Sequence, residues 1–142
     1  MKRARRQSRE LALQAIYAWQ VSGGDPMEEA RGLEDFDKGD RLFVEALVAG
    51  VRDRVGELQG LIAPYLDRDL ARLSPVERSI LYIGALELAA YPETPFKVVL
   101  NEAIELGKSY GGTEGHRFVN GVLEKIAAHL RPDEVGRARN PA

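Results

Sequence analysis

The chain has 142 residues, of which 44% are hydrophobic and 30% charged, a balance typical of one folded domain rather than a disordered segment. It contains no cysteine, which excludes disulfides, thiol nucleophiles and thiolate metal sites. No apolar run reaches the roughly 18 residues that a membrane-spanning helix needs, and no signal-peptide core follows the charged amino terminus. We therefore expect a soluble domain in the cytoplasm, without membrane association.

The net charge of −2 conceals an uneven distribution of charge along the chain. A basic arm, residues 1–9, has no acid and carries the side chains of Lys2, Arg3, Arg5, Arg6 and Arg9. The remaining 133 residues carry 15 basic and 22 acidic side chains. Because salt screens charges beyond about 8 Å, a docked phosphate responds to this local cluster more than to distant acids. Composition alone leaves two interpretations open, a nucleic-acid contact or a solvated leader.

Helical periodicity dominates the first half of the chain, and no segment alternates as a strand does. A first apolar face covers residues 12–20 and is stopped by Gly23-Gly24. Asp25-Pro26 predicts a capped start for a short second helix that ends near Leu33. The third pattern, over residues 43–62, predicts one long helix.

The second half contains clearer helix boundaries. Ser74-Pro75-Val76-Glu77 predicts a capping box, in which the serine and glutamate side chains each accept a backbone amide. The helix that follows, residues 80–90, is apolar nearly all round and should lie at the centre of the domain. Gly111-Gly112 predicts the end of the next helix. A last apolar stripe covers residues 118–130, where we expect Gly121 to permit a close contact between helices.

These patterns predict an all-α fold of six to seven helices in two packed antiparallel bundles. No low-complexity linker or repeat divides the chain, so we expect a single domain over residues 1–142. Its predicted parts are the basic arm (1–9), an N-terminal sub-bundle (10–63), a C-terminal sub-bundle (64–131) and a loose tail (132–142).

Residues that could support catalysis or bind a metal ion form no recognisable constellation. His116 and His129 lie 13 residues apart, about 20 Å along a helix, which is too far for one metal ion. The paired acids Glu28-Glu29 are typical of a solvated helix surface. The sequence has no phosphate-binding loop, dinucleotide motif or nucleophile elbow. We predict a protein that is not an enzyme, with no catalytic residue, no cofactor and no metal site.

Several blocks of sequence resemble the NusB family of transcription antitermination factors. The most specific are residues 96–111 and the Phe118-Val119-Asn120-Gly121-Val122-Leu123 segment. Residues 9–17, which follow an arginine-rich start, resemble the first helix of that family. Further agreement lies at Leu47–Val51, Pro64–Leu66 and Val76–Arg78. The blocks follow the order of the family and span roughly residues 3–131.

The resemblance implies a two-bundle fold that binds single-stranded boxA RNA of ribosomal RNA transcripts. It implies that binding occurs with NusE, a small-subunit ribosomal protein, in a complex that keeps RNA polymerase elongating. RNA contacts fall on the basic arm and on the turn between the last two helices: Lys2, Arg3, Arg5, Arg6, Arg9, Tyr110, Gly111, Glu114, Gly115, His116 and Arg117. Tyr65 would add a stacking platform for a base, and Tyr17 and Glu77 match positions on the NusE-contacting side.

Other interpretations stay open at this point. The chain could be a helical protein-interaction module, which would bind boxA and scrambled RNA equally. It could also be a relative of the RNA-binding domain that precedes the methyltransferase domain in certain ribosomal RNA cytosine methyltransferases, although their catalytic cysteine is absent. The sequence does not decide between a monomer and a homodimer.

Overall fold

The computed structural model describes residues 2–110 and 115–139, with side chains from residue 4 onwards, and its regular secondary structure in these ranges is entirely helical. The eight α-helices found there are α1 (Lys2–Ser22), α2 (Pro26–Arg31), α3 (Arg41–Asp53), α4 (Val55–Ile62), α5 (Pro75–Ala90), α6 (Phe96–Tyr110), α7 (Gly115–Leu130) and α8 (Pro132–Arg139). Three 3₁₀ turns lie between them, at Phe36–Lys38, Ala63–Tyr65 and Leu70–Arg72. The all-α prediction is confirmed.

Local sequence explains several helix ends. Asp25 caps α2 by accepting the Met27 amide at 2.9 Å. Ser74 Oγ accepts the Glu77 amide at 3.1 Å at the start of α5. Only this half of the predicted capping box forms, because the Glu77 carboxylate accepts the Ser74 hydroxyl at 3.0 Å instead of the Ser74 amide. Gly23-Gly24 follows α1 with φ angles of 77° and 84°, a backbone region that favours glycine.

Helix α5 lies at the centre of the fold, as its nearly continuous apolar sequence predicts. Every residue from 79 to 88 is buried, and α1, α4, α6 and α7 all pack against this helix. Buried side chains from all eight helices form one continuous hydrophobic core. The two predicted sub-bundles, residues 10–63 and 64–131, therefore share a single core.

The predicted long helix over residues 43–62 is divided in two. Arg54 separates α3 from α4, with φ of −115° and ψ of 18°, outside the helical region. Val51 in α3 and Leu58 in α4 are both buried, so the apolar spacing of the sequence continues across the break. The break adds one helix to the predicted count.

The predicted loose tail over residues 132–142 is wrong for its described part, because residues 132–139 form α8. Val135 is buried against the core. The Glu134 carboxylate accepts the Phe96 amide at 2.7 Å, which satisfies one of the amides that the first turn of α6 leaves without a helical partner. Contacts between distant segments thus hold a helix that is largely polar in sequence.

Arg131, between α7 and α8, binds the carbonyl end of α5. Its guanidinium donates to the backbone oxygens of Leu88 (3.0 Å), Glu87 (3.0 Å), Tyr91 (2.9 Å) and Thr94 (2.7 Å), and to the Glu134 carboxylate at 3.2 Å. The Glu87 and Tyr91 oxygens also accept the Tyr91 and Thr94 amides. The last carbonyls of a helix lack a full set of helical partners, and here a side chain that is only 8% exposed supplies donors to them. Arg131 therefore fixes α7 and α8 to the end of the central helix.

A close backbone contact joins α6 to α7 at Gly107. A Cβ atom on Gly107 would lie 2.8 Å from the Cα and Cβ atoms of His116. The contact predicted at Gly121 is wrong, because a Cβ atom there would meet nothing within 4 Å. Only a glycine at position 107 permits this approach of the two helices.

We expect Gly107→Ala to lower the free energy of unfolding by about 1–3 kcal/mol, since the added methyl group forces two packed backbones apart. Gly121→Ala is the matched control. It should be neutral or stabilising by up to about 1 kcal/mol, because alanine restricts the unfolded chain and meets open space in the fold. Urea unfolding of both variants measures the difference, and equal stabilities would contradict the close contact.

Candidate nucleic-acid interface

The basic residues at the amino terminus belong to α1 and do not form a separate arm. Arg5 and Arg6 are exposed, whereas Arg9 is only 4% exposed. Lys2 and Arg3 lie in the first turn of the helix, and their side chains fall outside the described part of the structure. Their positions around the helix therefore place Arg5 and Arg6 at the surface and Arg9 in the core.

Arg9 forms a buried ion pair with Glu87 of α5. Arg9 Nε lies 2.9 Å from Glu87 Oε2 and Nη2 lies 2.8 Å from Oε1, and the two side chains are 5% and 2% exposed. Burial acts to lower the pKa of Arg9, but the hydrogen bonds and charge of Glu87 outweigh it and raise that pKa. The predicted RNA contact at Arg9 is wrong, because a guanidinium enclosed by protein and bonded to a carboxylate cannot reach a phosphate.

Arg5 is held at the surface by an aromatic ring. Its guanidinium carbon lies 4.1 Å from the centroid of Phe43, a buried residue of α3 whose ring meets Tyr91 edge-on at 6.0 Å. A cation over a ring face is attracted by the ring quadrupole. A guanidinium has five N–H donors, and an anion at this exposed position could accept them.

Arg6 pairs with Glu102 of α6. Arg6 Nε donates to Glu102 Oε2 at 3.0 Å and Nη2 donates to Oε1 at 3.3 Å. The bonds and charge of Glu102 raise the pKa of Arg6. The Arg6 side chain is 54% exposed and the Glu102 side chain 16%, so Glu102 is the more buried member of the pair.

A cleft of about 560 Å³ lies between the start of α1, the segment before α6 and the first half of α6. Its polar walls consist of Arg5, Arg6, the nearly buried Arg9, Asp40, Glu93, Thr94, Asn101 and Glu102, and Val98 adds an exposed apolar surface. The two exposed arginines and the first half of α6 thus surround one concave site.

A second bridge joins α1 to α6 further along both helices. Gln14 Nε2 donates to Tyr110 Oη at 3.4 Å. The Gln14–Tyr110 and Arg6–Glu102 bridges both link residues 96 positions apart, so the two helices run parallel in a fixed register. Eight residues along each helix correspond to about 12 Å. The structure therefore brings Tyr110 to the same face as Arg5 and Arg6.

The rest of the predicted RNA-binding turn is described in part. Gly111 and Glu114 lie outside the described residues, and Gly115 is the first residue of α7. His116 packs against Gly107, and its Nδ1 atom is buried without a hydrogen-bond partner among the described residues. Arg117 is exposed. Tyr65 is half-buried in the 3₁₀ turn Ala63–Tyr65, which packs against α7.

The two residues predicted to contact NusE lie towards the end of α1 and at the start of α5. Tyr17 is 41% exposed on α1. Glu77 lies in the first turn of α5, where it bonds to Ser74. Gln20 Nε2 donates to the Pro75 carbonyl at 3.2 Å, which joins the end of α1 to the start of α5. The structure therefore places Tyr17 and Glu77 in neighbouring segments.

The comparison with known families decides which family this is. The sequence model of the family described as the NusB family matches residues 6–128, which is most of the chain. The chain belongs to the NusB family.

Relatives agree with that assignment along nearly the whole length. The transcription antitermination protein NusB of Azoarcus sp. (strain BH72) is 53% identical over 140 residues, which cover 96% of this chain and 90% of that protein. The structure of T. maritima NusB has a TM-score of 0.83 at 27% identity, covering 93% of this chain and 96% of that one. A chain in the crystal structure of the antitermination factors NusB and NusE in complex with dsRNA has a TM-score of 0.81 at 26% identity, covering 91% and 99%.

The family assignment and the all-α fold of NusB are thus confirmed for this chain. The relatives are named as antitermination proteins, which is consistent with the prediction that the chain is not an enzyme. Among the described residues, no group of histidine and acidic side chains could hold a metal ion. No helix in the described ranges is long and apolar enough to cross a membrane.

The sequence interpretation of this NusB-family chain missed Phe43 and Glu102, which hold the two exposed arginines. Glu102 could have been found, because it lies inside the strongest family block. Phe43 could not, because a phenylalanine in an apolar stripe is indistinguishable from an ordinary core residue.

Proposed function

We propose that the chain acts in transcription antitermination by binding boxA-type RNA of ribosomal RNA transcripts together with NusE, and so supports elongation by RNA polymerase. The observation that carries the RNA-binding part is the shared face of α1 and α6, where Arg5, Arg6 and Tyr110 lie together. The likeness to a chain from a NusB, NusE and dsRNA complex supports it. We place this role in the cytoplasm, where bacterial RNA polymerase works.

The face combines the two kinds of contact that single-stranded RNA offers. Arginines attract phosphates and bind base edges, and an exposed aromatic ring such as that of Tyr110 can stack on an unpaired base. In this proposal Lys2 and Arg3 extend the basic end, and Gly111, Glu114, Gly115, His116 and Arg117 extend the other end. Tyr65 adds a further stacking surface, and Tyr17 and Glu77 contact NusE.

Removing residues 2–9 is not a clean test of this proposal, because the segment also supports the fold. Ser8 Oγ accepts the Asp40 amide at 2.7 Å, and Arg9 holds the buried Glu87 carboxylate. A shortened chain would lose RNA affinity through loss of structure alone. Point variants at exposed positions avoid this.

We expect the double variant Arg5→Ala/Arg6→Ala to bind boxA RNA about tenfold more weakly in a gel-shift titration with NusE present. Loss of one or two phosphate contacts should also reduce the log–log salt slope by about 0.7–1.4. The matched control is Arg31→Ala/Arg52→Ala, which removes the same charge from surface ion pairs of α2 and α3. It should stay within about twofold of wild type.

Two results would contradict the proposal. Equal affinity for boxA and scrambled RNA, even with NusE, would favour a protein-interaction module that does not read RNA. An equal loss of binding in both double variants would show that total charge, and not this face, attracts the RNA. A thermal unfolding midpoint close to that of wild type confirms that each variant is folded.

A further inference from the structure

An acidic side chain lies within the face that we propose for RNA. Glu102 lines the same cleft as Arg5, Arg6 and Asn101. A carboxylate repels phosphates, so its contact with an arginine of the proposed RNA face needs a reason. Glu102 is mostly covered, at 16% exposure, and it meets Arg6 with both oxygens.

The geometry of this pair divides the donors of Arg6. Glu102 takes the side of the guanidinium that carries Nε and one Nη2 hydrogen. A guanidinium has five N–H donors, so the end that carries Nη1 and the outer Nη2 hydrogen is left for another acceptor. Two parallel donors of this kind match the paired acceptors on the edge of a purine base, guanine above all.

The charge of the pair matters as much as its geometry. Arg6 and Glu102 together carry no net charge, and Glu10 and Glu105 also lie near enough to act on Arg6. A neutralised arginine contributes little to the long-range attraction that binds any RNA regardless of sequence. Its directed hydrogen bonds to a base are retained, because they need contact rather than net charge.

We propose that Glu102 is a specificity-determining residue of the RNA site. By pairing with Arg6 it withholds that positive charge from phosphates of any sequence and directs the remaining donors toward a base held in the cleft. This inference rests on the proposed RNA-binding function. Asn101, exposed beside Glu102, offers an amide that can bind the same base edge.

The test is Glu102→Gln, which keeps the side-chain shape and removes the charge. We expect affinity for a scrambled single-stranded RNA to rise about two- to fivefold, the range that an exposed ion pair permits. Affinity for boxA RNA should stay unchanged or fall, so that the ratio of the two affinities decreases. Gel-shift titrations with both RNAs, in the presence of NusE, measure that ratio.

Glu105→Gln is the matched control, because it removes the same charge one turn further along α6. Glu105 lies 3.7 Å from Lys108 and makes no hydrogen bond to Arg6 in the described part of the chain. It should lower the affinity ratio much less than Glu102→Gln does, because Glu105 acts on Arg6 through its charge alone. In an Arg6→Ala background, Glu102→Gln should have no effect on the ratio.

Each outcome decides between the two proposals. A wild-type protein that binds both RNAs equally overturns the proposed function, and this inference with it. If the wild type discriminates but Glu102→Gln keeps the ratio, only the inference is overturned. The inference is also overturned if Glu102→Gln changes the affinity ratio equally in the wild-type and Arg6→Ala backgrounds, because Glu102 would then act on the RNA directly and not through Arg6.

Discussion

Glu87→Leu is expected to lower the free energy of unfolding by about 3–5 kcal/mol, because it leaves the Arg9 guanidinium charged and enclosed without a counter-charge. The two side chains are 5% and 2% exposed, so water cannot replace the lost carboxylate without opening the core between α1 and α5. Urea unfolding followed by far-ultraviolet circular dichroism measures the change. Stability is the property to measure, because Glu87 is buried and is not itself part of the proposed RNA face.

The double variant Arg9→Met/Glu87→Leu separates the lost counter-charge from lost packing. It should recover most of the stability, because apolar side chains of similar volume often replace a buried ion pair at little cost. The exposed Arg6–Glu102 pair supplies the comparison, and Glu102→Gln should have a much smaller effect. A loss in Glu87→Leu as small as that in Glu102→Gln would show that Arg9 is not enclosed.

Arg131→Met is expected to lower the free energy of unfolding by at least about 2 kcal/mol. The variant keeps an unbranched apolar stem but leaves the carbonyls of Glu87, Leu88, Tyr91 and Thr94 without this donor. The Glu87 and Tyr91 oxygens still accept the Tyr91 and Thr94 amides, so the loss falls mainly on Leu88 and Thr94. Each buried acceptor that loses its partner costs about 1–3 kcal/mol unless water reaches it. Thermal and urea unfolding check the expectation.

Two further variants bring out the cause of that loss. Arg131→Lys should recover less than half of it, because three donors on a flexible stem cannot reproduce a planar guanidinium that serves several carbonyls. Arg137→Met removes the same charge from an exposed position on α8 and should change stability by less than about 0.5 kcal/mol. If Arg131→Met matched Arg137→Met, the carbonyl contacts would contribute nothing.

Much of the fold follows from apolar spacing and capping residues, and the errors have identifiable causes. The burial of α5 was predictable because apolar residues occupy every side of it. The break at Arg54 was not, because the spacing from Val51 to Leu58 is the same in one helix or in two. Helix α8 is held by Glu134 and Arg131 contacts with distant backbone, which no local pattern records.

The candidate site was predictable in composition but not in arrangement. An RNA contact was predicted for Arg9 because it lies close in sequence to Arg5 and Arg6. Arg9 precedes Leu13 by four residues, however, and therefore shares the apolar face of the helix. Glu87, the one acid within residues 80–90, is the partner that such a buried arginine requires. The register that brings Tyr110 to the same face as Arg6 depends on how α1 and α6 are placed relative to each other, which a single sequence does not specify.

Helix α1 continues without a break from Lys2 to Ser22, and this continuity has a consequence for how two partners could bind. Arg6 and Tyr17 are eleven residues apart, a fixed separation of about 16 Å. The continuous helix between them has no hinge, so a partner bound at one end would not change the conformation at the other end. An RNA strand that touches NusE while both rest on this helix would gain affinity as a bivalent ligand does, through high effective concentration and without any change of conformation.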